Sequence, residues 1–402
     1  VAGIRILSFW NPKSKLWIKG RKNFPVISGR STPNTKTIWM HCASLGEFEQ
    51  GRPVLENIKN QYAEVNVVLS FFSPSGYEVQ KKYSGADTIL YLPIDNKENA
   101  QKLVSVINPS LVLWVKYEYW FFYLEELKRQ NIPLLLVSGI FRKSQPFFKW
   151  YGSTWRNALS CFTHFFIQDN YSQHLLADIG IDKNVTITGD TRFDRVIDIV
   201  KKFEHVPFIK EYCGEGRVIV AGSTWEEDEE ELIHYVRANP QIKFIIAPHE
   251  INEDNLKDVQ EEFAGSIFYS DLVKTPSLNS NVLIIDNVGM LSRLYHYADI
   301  TYVGGGFGED GVHNVLEAAV YGKPVIYGPE FEKFKEAIEL IQCGGGFSIC
   351  NALELEKMLT ELWKNEQLLK DAGEAAKQYV YANYGASKKI MEYIQEKRLL
   401  IN

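Results

Sequence analysis

Apolar residues in this chain come in short unbroken runs, separated by stretches where they recur every three or four positions. Runs at 38–42, 65–71, 111–115, 134–138, 164–168 and 185–188 read as strands covered on both faces. The periodic stretches between them read as helices, one starting near Glu47, one following Ser73-Pro74-Ser75-Gly76, and others over 121–130 and 170–178. The second half repeats the pattern, with strands predicted at 217–221, 243–247, 282–285, 300–303 and 324–327. A helix is predicted over 313–321, stopped by Gly322 with Pro324 just beyond. Such alternation specifies an α/β protein with parallel sheets sandwiched between helices. It leads us to expect two doubly wound Rossmann-like domains facing across a cleft, with ligands at the carboxyl ends of the strands.

A chain of 402 residues exceeds one ordinary core, so two domains are expected from length as well. The expected boundaries are 1–197 for the first domain and 198–380 for the second. The charged, Pro207-containing stretch 196–215 serves as linker, and 381–402 forms a closing helix that packs back on the first domain. No period of 20–50 residues marks a solenoid.

Charge changes this picture. Residues 1–165 hold 21 Lys+Arg against 11 Asp+Glu, whereas the remainder holds 23 against 39. A basic half joined to an acidic one points to a polyanion or anionic membrane meeting only the first half. Phe9, Trp10 and Trp17 interleave with Lys13, Lys15, Lys19, Arg21 and Lys22. Arg142, Lys143, Phe147, Phe148, Lys149, Trp150, Tyr151, Trp155 and Arg156 form a second such group. Basic residues beside aromatics suit an anionic membrane interface, although about half of the aromatics are expected in the core. Nucleic acid is not expected, because the second half is acidic and carries no RNA- or DNA-binding motif. Cys42, Cys161, Cys213, Cys343 and Cys350 are odd in number and lack CxxC spacing, which fits reduced thiols in a cytoplasmic setting rather than a metal cluster. The sequence has no apolar run long enough to span a bilayer. It opens on Val1 rather than Met, so an upstream segment, such as a membrane anchor, is expected to precede it.

Candidate chemistry gathers at strand ends. Ser44-Leu45-Gly46-Glu47 offers a glycine for a tight strand-to-helix turn, and a carboxylate that is either a helix cap or a general base. Glu118 follows a buried strand among aromatics, paired structurally or functional. Ser223-Thr224 suits phosphate or base contacts, or else an N-cap for the acidic helix 226–232, whose carboxylates read as a solvated face. Pro248-His249-Glu250 is not a zinc motif, since Glu253 stands where a second histidine is needed. Gly289-Met290 marks either backbone approach to a nucleobase or a plain turn. The loop 303–311 contains Gly306-Phe307-Gly308-Glu309-Asp310-Gly311, a formal GxGxxG. Its internal acids would repel a pyrophosphate, so a nicotinamide or flavin ranks low. Asn314 and Glu317, three apart on the predicted helix, share a face where a carboxylate can accept hydrogen bonds from ribose hydroxyls.

Taken in order, these segments resemble a known family from about residue 20 to residue 386. Trp39-Met40-His41-Cys42-Ala43-Ser44-Leu45-Gly46-Glu47 is similar to W-x-H-x-x-S-x-G-E, and Tyr117-Glu118-Tyr119-Trp120 to T-E-x-W. The stretch 188–194 is similar to T-G-N-x-K-x-D, and Ser223-Thr224 to the start of S-T-x-x-x-E-E. Gly304-Gly305, Gly311 and 313–317 are similar to G-G-S…G-G-H-N-x-x-E, and Gly328-Pro329 with Phe334 to G-P…N-F. The family is that of the 3-deoxy-D-manno-octulosonic acid (Kdo) transferases of lipopolysaccharide assembly, glycosyltransferase family 30, with the GT-B fold.

The resemblance implies an inverting transfer of Kdo from CMP-Kdo to the lipid A precursor, a tetraacylated glucosamine disaccharide bisphosphate, with no cofactor and no metal at the protein site. It implies Glu47 as general base and Glu118 as a second essential carboxylate. Ser223, Thr224, Pro248, His249, Gly289, Met290, Asn314 and Glu317 would surround CMP. Ser44, Gly46, Ser73, Ser75, Asp190, Arg192 and His313 would meet acceptor or sugar. It also implies a location on the cytoplasmic face of the bacterial inner membrane. The sequence departs from the family where P-R-H-P-E-R becomes 247–252, losing both arginines, where Ile140 replaces an arginine, and where Asp190 replaces an asparagine. A nucleotide-sugar epimerase of the same architecture and a non-catalytic lipid A-binding protein are the competing readings.

Overall fold

The computed structural model describes residues 10–27, 35–116, 118–275 and 279–401. Phe9 and Tyr117 lie outside the described residues. The chain forms two compact units, residues 1–195 with 384–402, and residues 196–383.

The first unit is built on seven parallel strands, β1 Thr37–Cys42, β2 Asn66–Phe71, β3 Thr88–Tyr91, β4 Leu111–Val115, β5 Leu134–Gly139, β6 His164–Ile167 and β7 Val185–Ile187, in the order 3-2-1-4-5-6-7. β1 pairs in register with both β2 and β4, for example through Trp39 to Val68 and to Val112. Strand order therefore reverses at β1/β4, where chains leave toward opposite faces and open a crevice. All residues of β1, β2, β4 and β5 are buried, as double coverage requires. One face packs Trp39, Trp114, Tyr123 and Leu136, the other Met40, Phe48, Leu69 and Leu113.

The second core includes Ile390, Met391, Ile394 and Leu400 from the closing segment. The helix Ala386–Glu396 is held at its start by Asp194, whose carboxylate accepts from Ala386 N at 3.1 Å, Ser387 N at 3.3 Å and Ser387 Oγ at 2.6 Å. Asp194 is wholly buried, so this carboxylate caps a helix that follows 192 residues later.

The second unit repeats the plan with β8 Val218–Thr224, β9 Lys243–Pro248, β10 Ile267–Phe268, β11 Val282–Ile284, β12 Ile300–Val303, β13 Val325–Tyr327 and β14 Gly346–Ser348, all parallel, in the order 10-11-9-8-12-13-14. Its switch point is β8/β12. The β8–β9 register slips between Gly222 and Thr224, and Ser223 there adopts a left-handed φ of 55°. A bulge of this kind re-aims side chains at the rim of a sheet.

Three elements differ from the sequence reading. The edge strands β3, β10 and β14, of four, two and three residues, are not among the strands the sequence predicts. The stretch 196–215 is not an open linker. The helix Thr191–Lys201 runs into it, the helix Ile209–Cys213 follows, and Val196, Ile197, Val206 and Ile209 are buried. The helix predicted over 313–321 is only the turn Leu316–Ala319. His313 N bonds Gly304 O at 3.0 Å and Asn314 Oδ1 accepts from Leu316 N at 3.3 Å, so both residues serve as lead-in to that turn.

Candidate active site residues in two Rossmann-like units

In the first unit the predicted carboxylates close the two strands that flank the switch point. Ser44 is the N-cap of the helix Leu45–Gln61, although its side chain makes no cap bond, and Glu47 sits in the first turn. The Glu47 carboxylate turns back to accept from Ala43 N. It is therefore a capping group in geometry, yet it is only 6% exposed. Burial pushes its pKa from 4.5 up to about 7; the Ala43 bond opposes that rise, and the Glu118 charge adds to it. A carboxylate poised near neutrality is suited to accept a proton at physiological pH. Gly46 does not serve the turn as expected: a Cβ there would meet nothing within 4 Å. It leaves the exposed start of the helix bare.

Glu118 follows β4, half-buried, with its pKa raised by burial. Its carbonyl accepts from the Trp114 indole N–H. Lys116, between strand and carboxylate, has φ 60° and lies close enough to lower the pKa of both Glu47 and Asp190.

Asp190, at the end of β7, is buried. Its oxygens accept from Gln50 Nε2 at 3.1 Å and from Arg192 Nε at 2.9 Å. Burial opposes its charge, but Arg192 and Lys116 outweigh it and hold the carboxyl below the usual range. These bonds make Asp190 a brace between the Glu47-bearing helix and Arg192. Thr191 extends the brace, its hydroxyl bonding Gln50 O at 2.5 Å and Ser138 Oγ at 2.7 Å. Ser73 caps the helix Pro74–Gln80 and bonds Ser75 Oγ at 3.0 Å, so both hydroxyls stand at the end of β2. His41, wholly buried, bonds Ser70 Oγ at 2.9 Å, and burial lowers its pKa to about 3. It is neutral at pH 7 and packs against the Trp114 ring, 4.4 Å between centroids, without charge.

A cavity of about 320 Å³ opens beside Glu118, lined by Tyr119, Trp120, Gln145, Phe147 and Trp155. The basic-aromatic stretches divide. Trp10, Trp150, Tyr151 and Trp155 are exposed, the first and second by 79% and 93%. Trp17 is buried and Arg21 is not a surface cation: its guanidinium lies 4.1 Å from the Trp17 ring and bonds the Leu92 and Phe72 carbonyls.

In the second unit the nucleotide-binding candidates, with the sugar-binding candidate His313, follow the ends of four contiguous strands. Ser223 and Thr224 end β8, Pro248 and His249 end β9, Gly289 and Met290 follow β11, and His313, Asn314 and Glu317 follow β12. Gly289 has φ 95° and faces open space, whereas Met290 is buried at the start of the helix Leu291–Leu294. Gly222 must lack a side chain, because a Cβ would lie 2.2 Å from Tyr295 Oη. Asn314 Nδ2 donates to Glu317 Oε1 at 3.0 Å, which orients that carboxylate.

The acidic helix Glu226–Ala238 corrects the sequence reading. Asp228 and Glu229 are buried, not solvated. Asp228 Oδ2 accepts from Gly305 N at 2.7 Å and Trp225 N at 3.0 Å, and Oδ1 accepts from Tyr302 Oη at 2.7 Å. Glu229 accepts from Thr224 Oγ1 at 2.6 Å, and burial raises its pKa to about 7. The S-T-x-x-x-E-E pattern held this signal, since its two acids fall on Asp228 and Glu229. Among the described residues no three His, Cys, Asp or Glu side chains are grouped to hold a metal ion, and no helix is long and apolar enough to cross a membrane.

Two parallel α/β units of this topology define the fold shared by GT-B glycosyltransferases and nucleotide-sugar epimerases. The chain is similar to UDP-N-acetylglucosamine 2-epimerase from Neisseria meningitidis (TM-score 0.63, 17% identity, 90% of this chain and 100% of that one). It is also similar to a glycosyltransferase from Rickettsia africae (TM-score 0.56, 18% identity, 92% and 100%). At such identities the likeness speaks for the fold alone.

Sequence is more specific. Residues 18–195 match the family described as 3-deoxy-D-manno-octulosonic-acid transferase (kdotransferase). The chain is 23% identical over 407 residues to the 3-deoxy-D-manno-octulosonic acid transferase of Haemophilus influenzae, covering 98% of this chain and 94% of that protein. It is 28% identical over 332 residues to the one from Aquifex aeolicus, covering 81% and 85%. A bifunctional glycosyltransferase/methyltransferase of Fusobacterium nucleatum is 29% identical over 345 residues, 82% of this chain but 53% of that protein, so the chain spans about half of that relative's length. The family match over the first unit and these relatives, at 23% and 28% identity, support a Kdo transferase, a glycosyltransferase.

Proposed function

We propose that this protein transfers Kdo from CMP-Kdo to a hydroxyl of the tetraacylated lipid A precursor, with inversion at the anomeric carbon. The observation that carries the proposal is Glu47, a buried carboxylate at the end of a central strand whose pKa is lifted to about 7. A sugar hydroxyl is a poor nucleophile near neutral pH, and a carboxylate in that state removes its proton as the new bond forms. The acceptor oxygen bonds to the anomeric carbon, the bond from that carbon to the CMP phosphate breaks, and CMP leaves with the electron pair. The proton stays on Glu47. Lys116 and Glu118 set the charge balance around it.

Ser223, Thr224, Pro248, His249, Gly289, Met290, Asn314 and Glu317 are the proposed CMP contacts, with the Asn314-oriented Glu317 carboxylate accepting from the ribose. Ser44, Gly46, Ser73, Ser75, Arg192 and His313 are proposed to meet acceptor or sugar, while Asp190 acts through Arg192. The aromatic cavity beside Glu118 suits an acyl-bearing acceptor. Exposed Trp10, followed in sequence by exposed Lys13 and Lys15, and exposed Trp150 and Trp155, preceded by exposed Arg142 and Lys143, suit peripheral contact with anionic lipid, on the cytoplasmic face of the bacterial inner membrane.

The test is mass spectrometry of products from CMP-Kdo and purified tetraacyl disaccharide bisphosphate. Lipid heavier by whole Kdo residues, with CMP released, is the expected result. Conversion of a UDP-sugar without acceptor would instead establish an epimerase, and lipid retained with no CMP released would establish a binding protein.

A further inference from the structure

Trp225, His249 and His313 form a compact plate in the second unit. The rings of Trp225 and His313 are nearly coplanar, 17° apart with centroids 6.4 Å apart, and Trp225 Nε1 bonds His313 Nε2 at 2.9 Å. His249 lies over both, 4.5 Å from Trp225 and 4.4 Å from His313. The plate is braced from below: one oxygen of the buried Asp228 holds the backbone N–H groups of Trp225 and Gly305 together. Gly305 must stay bare, since a Cβ would approach His313 Cδ2 to 2.8 Å.

An indole N–H can only donate. His313 Nε2 must therefore accept, and a neutral imidazole accepting there carries its proton on Nδ1. Among the described residues Nδ1 has no hydrogen-bond partner, and the ring is half-buried. Burial also lowers the His313 pKa to about 4, so the ring stays neutral at pH 7.

We propose that Trp225 is a positioning residue that locks His313 as the Nδ1–H tautomer, so that His313 presents a hydrogen-bond donor to an anionic oxygen of the sugar-nucleotide donor. This rests on the donor reading given above. It also accounts for a site that lacks the family's paired arginines near His249: a fixed neutral donor takes over part of an anion's grip.

The lock is tested without substrate by ¹⁵N–¹H correlation of the histidine-labelled full chain, with His313 assigned from the H313N spectrum. Nδ1–H is expected in the wild type, and loss of that preference in W225F, which keeps an aromatic ring but has no N–H. An Nε2–H ring in the wild type overturns the proposal. In transfer assays W225F should raise the donor KM about tenfold, as for losing one hydrogen bond to a charged acceptor, with kcat little changed. In the H313N background, where the amide supplies its own N–H, W225F should have no such effect. An equal W225F effect in both backgrounds, or an unchanged KM, overturns the role in donor binding. Absence of transfer by the wild type sinks the function proposed earlier, and the tautomer measurement still decides whether the lock exists.

Discussion

Glu118 raises the pKa of Glu47 across the switch point of the first sheet, where the two carboxylates end the neighbouring strands β4 and β1. Burial is the larger cause of that rise, and like-charge repulsion is an addition to it. Glu118→Gln removes the addition and eases ionisation of Glu47. The acid limb of kcat/KM against pH should then move to lower pH without reaching the ordinary carboxylate range. An unmoved limb would show that the two groups are not coupled.

Glu47→Gln separates chemistry from stability. Loss of a general base lowers turnover by about 10²–10⁴. The folded pKa of about 7 exceeds the ordinary value of 4.5, so ionisation penalises the folded state. That penalty is absent below pH 4.5, grows as pH rises, and is complete above pH 7. The variant should match the wild type near pH 4 and exceed it at pH 8 by at most about 3 kcal/mol. Urea unfolding at the two pH values reads this directly.

Asp190 behaves in the opposite sense. Its lowered pKa contributes stability above the ordinary aspartate range, lost as pH falls through the folded value. Asp190→Asn removes one charge partner of Arg192 and should cost about 2 kcal/mol at pH 7, reduced from a fully buried pair because Arg192 is partly exposed. It should also flatten the acid side of the stability curve, as measured by thermal melts from pH 3 to pH 7.

Asn314 and Glu317 act as one unit through their 3.0 Å bond. Glu317→Ala should weaken CMP binding by about 1–3 kcal/mol. Asn314→Ala should weaken it less, and the double variant by less than the sum. Calorimetry with CMP on the four proteins gives the coupling; strict additivity would mean that Asn314 does not orient Glu317.

Trp150 and Trp155 are exposed and follow the exposed Arg142 and Lys143 in sequence. Replacing both tryptophans by serine should reduce co-sedimentation with vesicles containing anionic lipid and leave CMP affinity unchanged. Equal binding to neutral and anionic vesicles by the wild type would remove the electrostatic part of this account.

Much of this architecture is legible from apolar runs because buried parallel strands carry few polar residues, and β4 and β12 have the bounds their runs mark. The strands missed all lie at sheet edges, although the edge strand β7 is legible from its run. β10 has only Ile267 and Phe268 at an edge, where one neighbour suffices and little apolar length is needed. Local composition also misleads around Asp228 and Glu229. Six acidic residues in a row resemble a solvated face, and only the return of the β12 loop, bringing Tyr302 and Gly305 to Asp228, gives one of them a buried job. Glu47 is readable both as a cap and as a base; its bond from Ala43 N makes it a cap, and the base is the role proposed for it.

The cap that Asp194 places on the helix Ala386–Glu396 has a consequence for biosynthesis. A ribosome releases the first unit's sheet long before Ile390 and Ile394 exist to cover it. Until then Met40, Phe48 and Leu69 share an unfinished face, while the whole intervening unit is translated. The nascent amino-terminal half is thus a natural client for a chaperone, and its folding is completed by the final helix rather than by its own last strand.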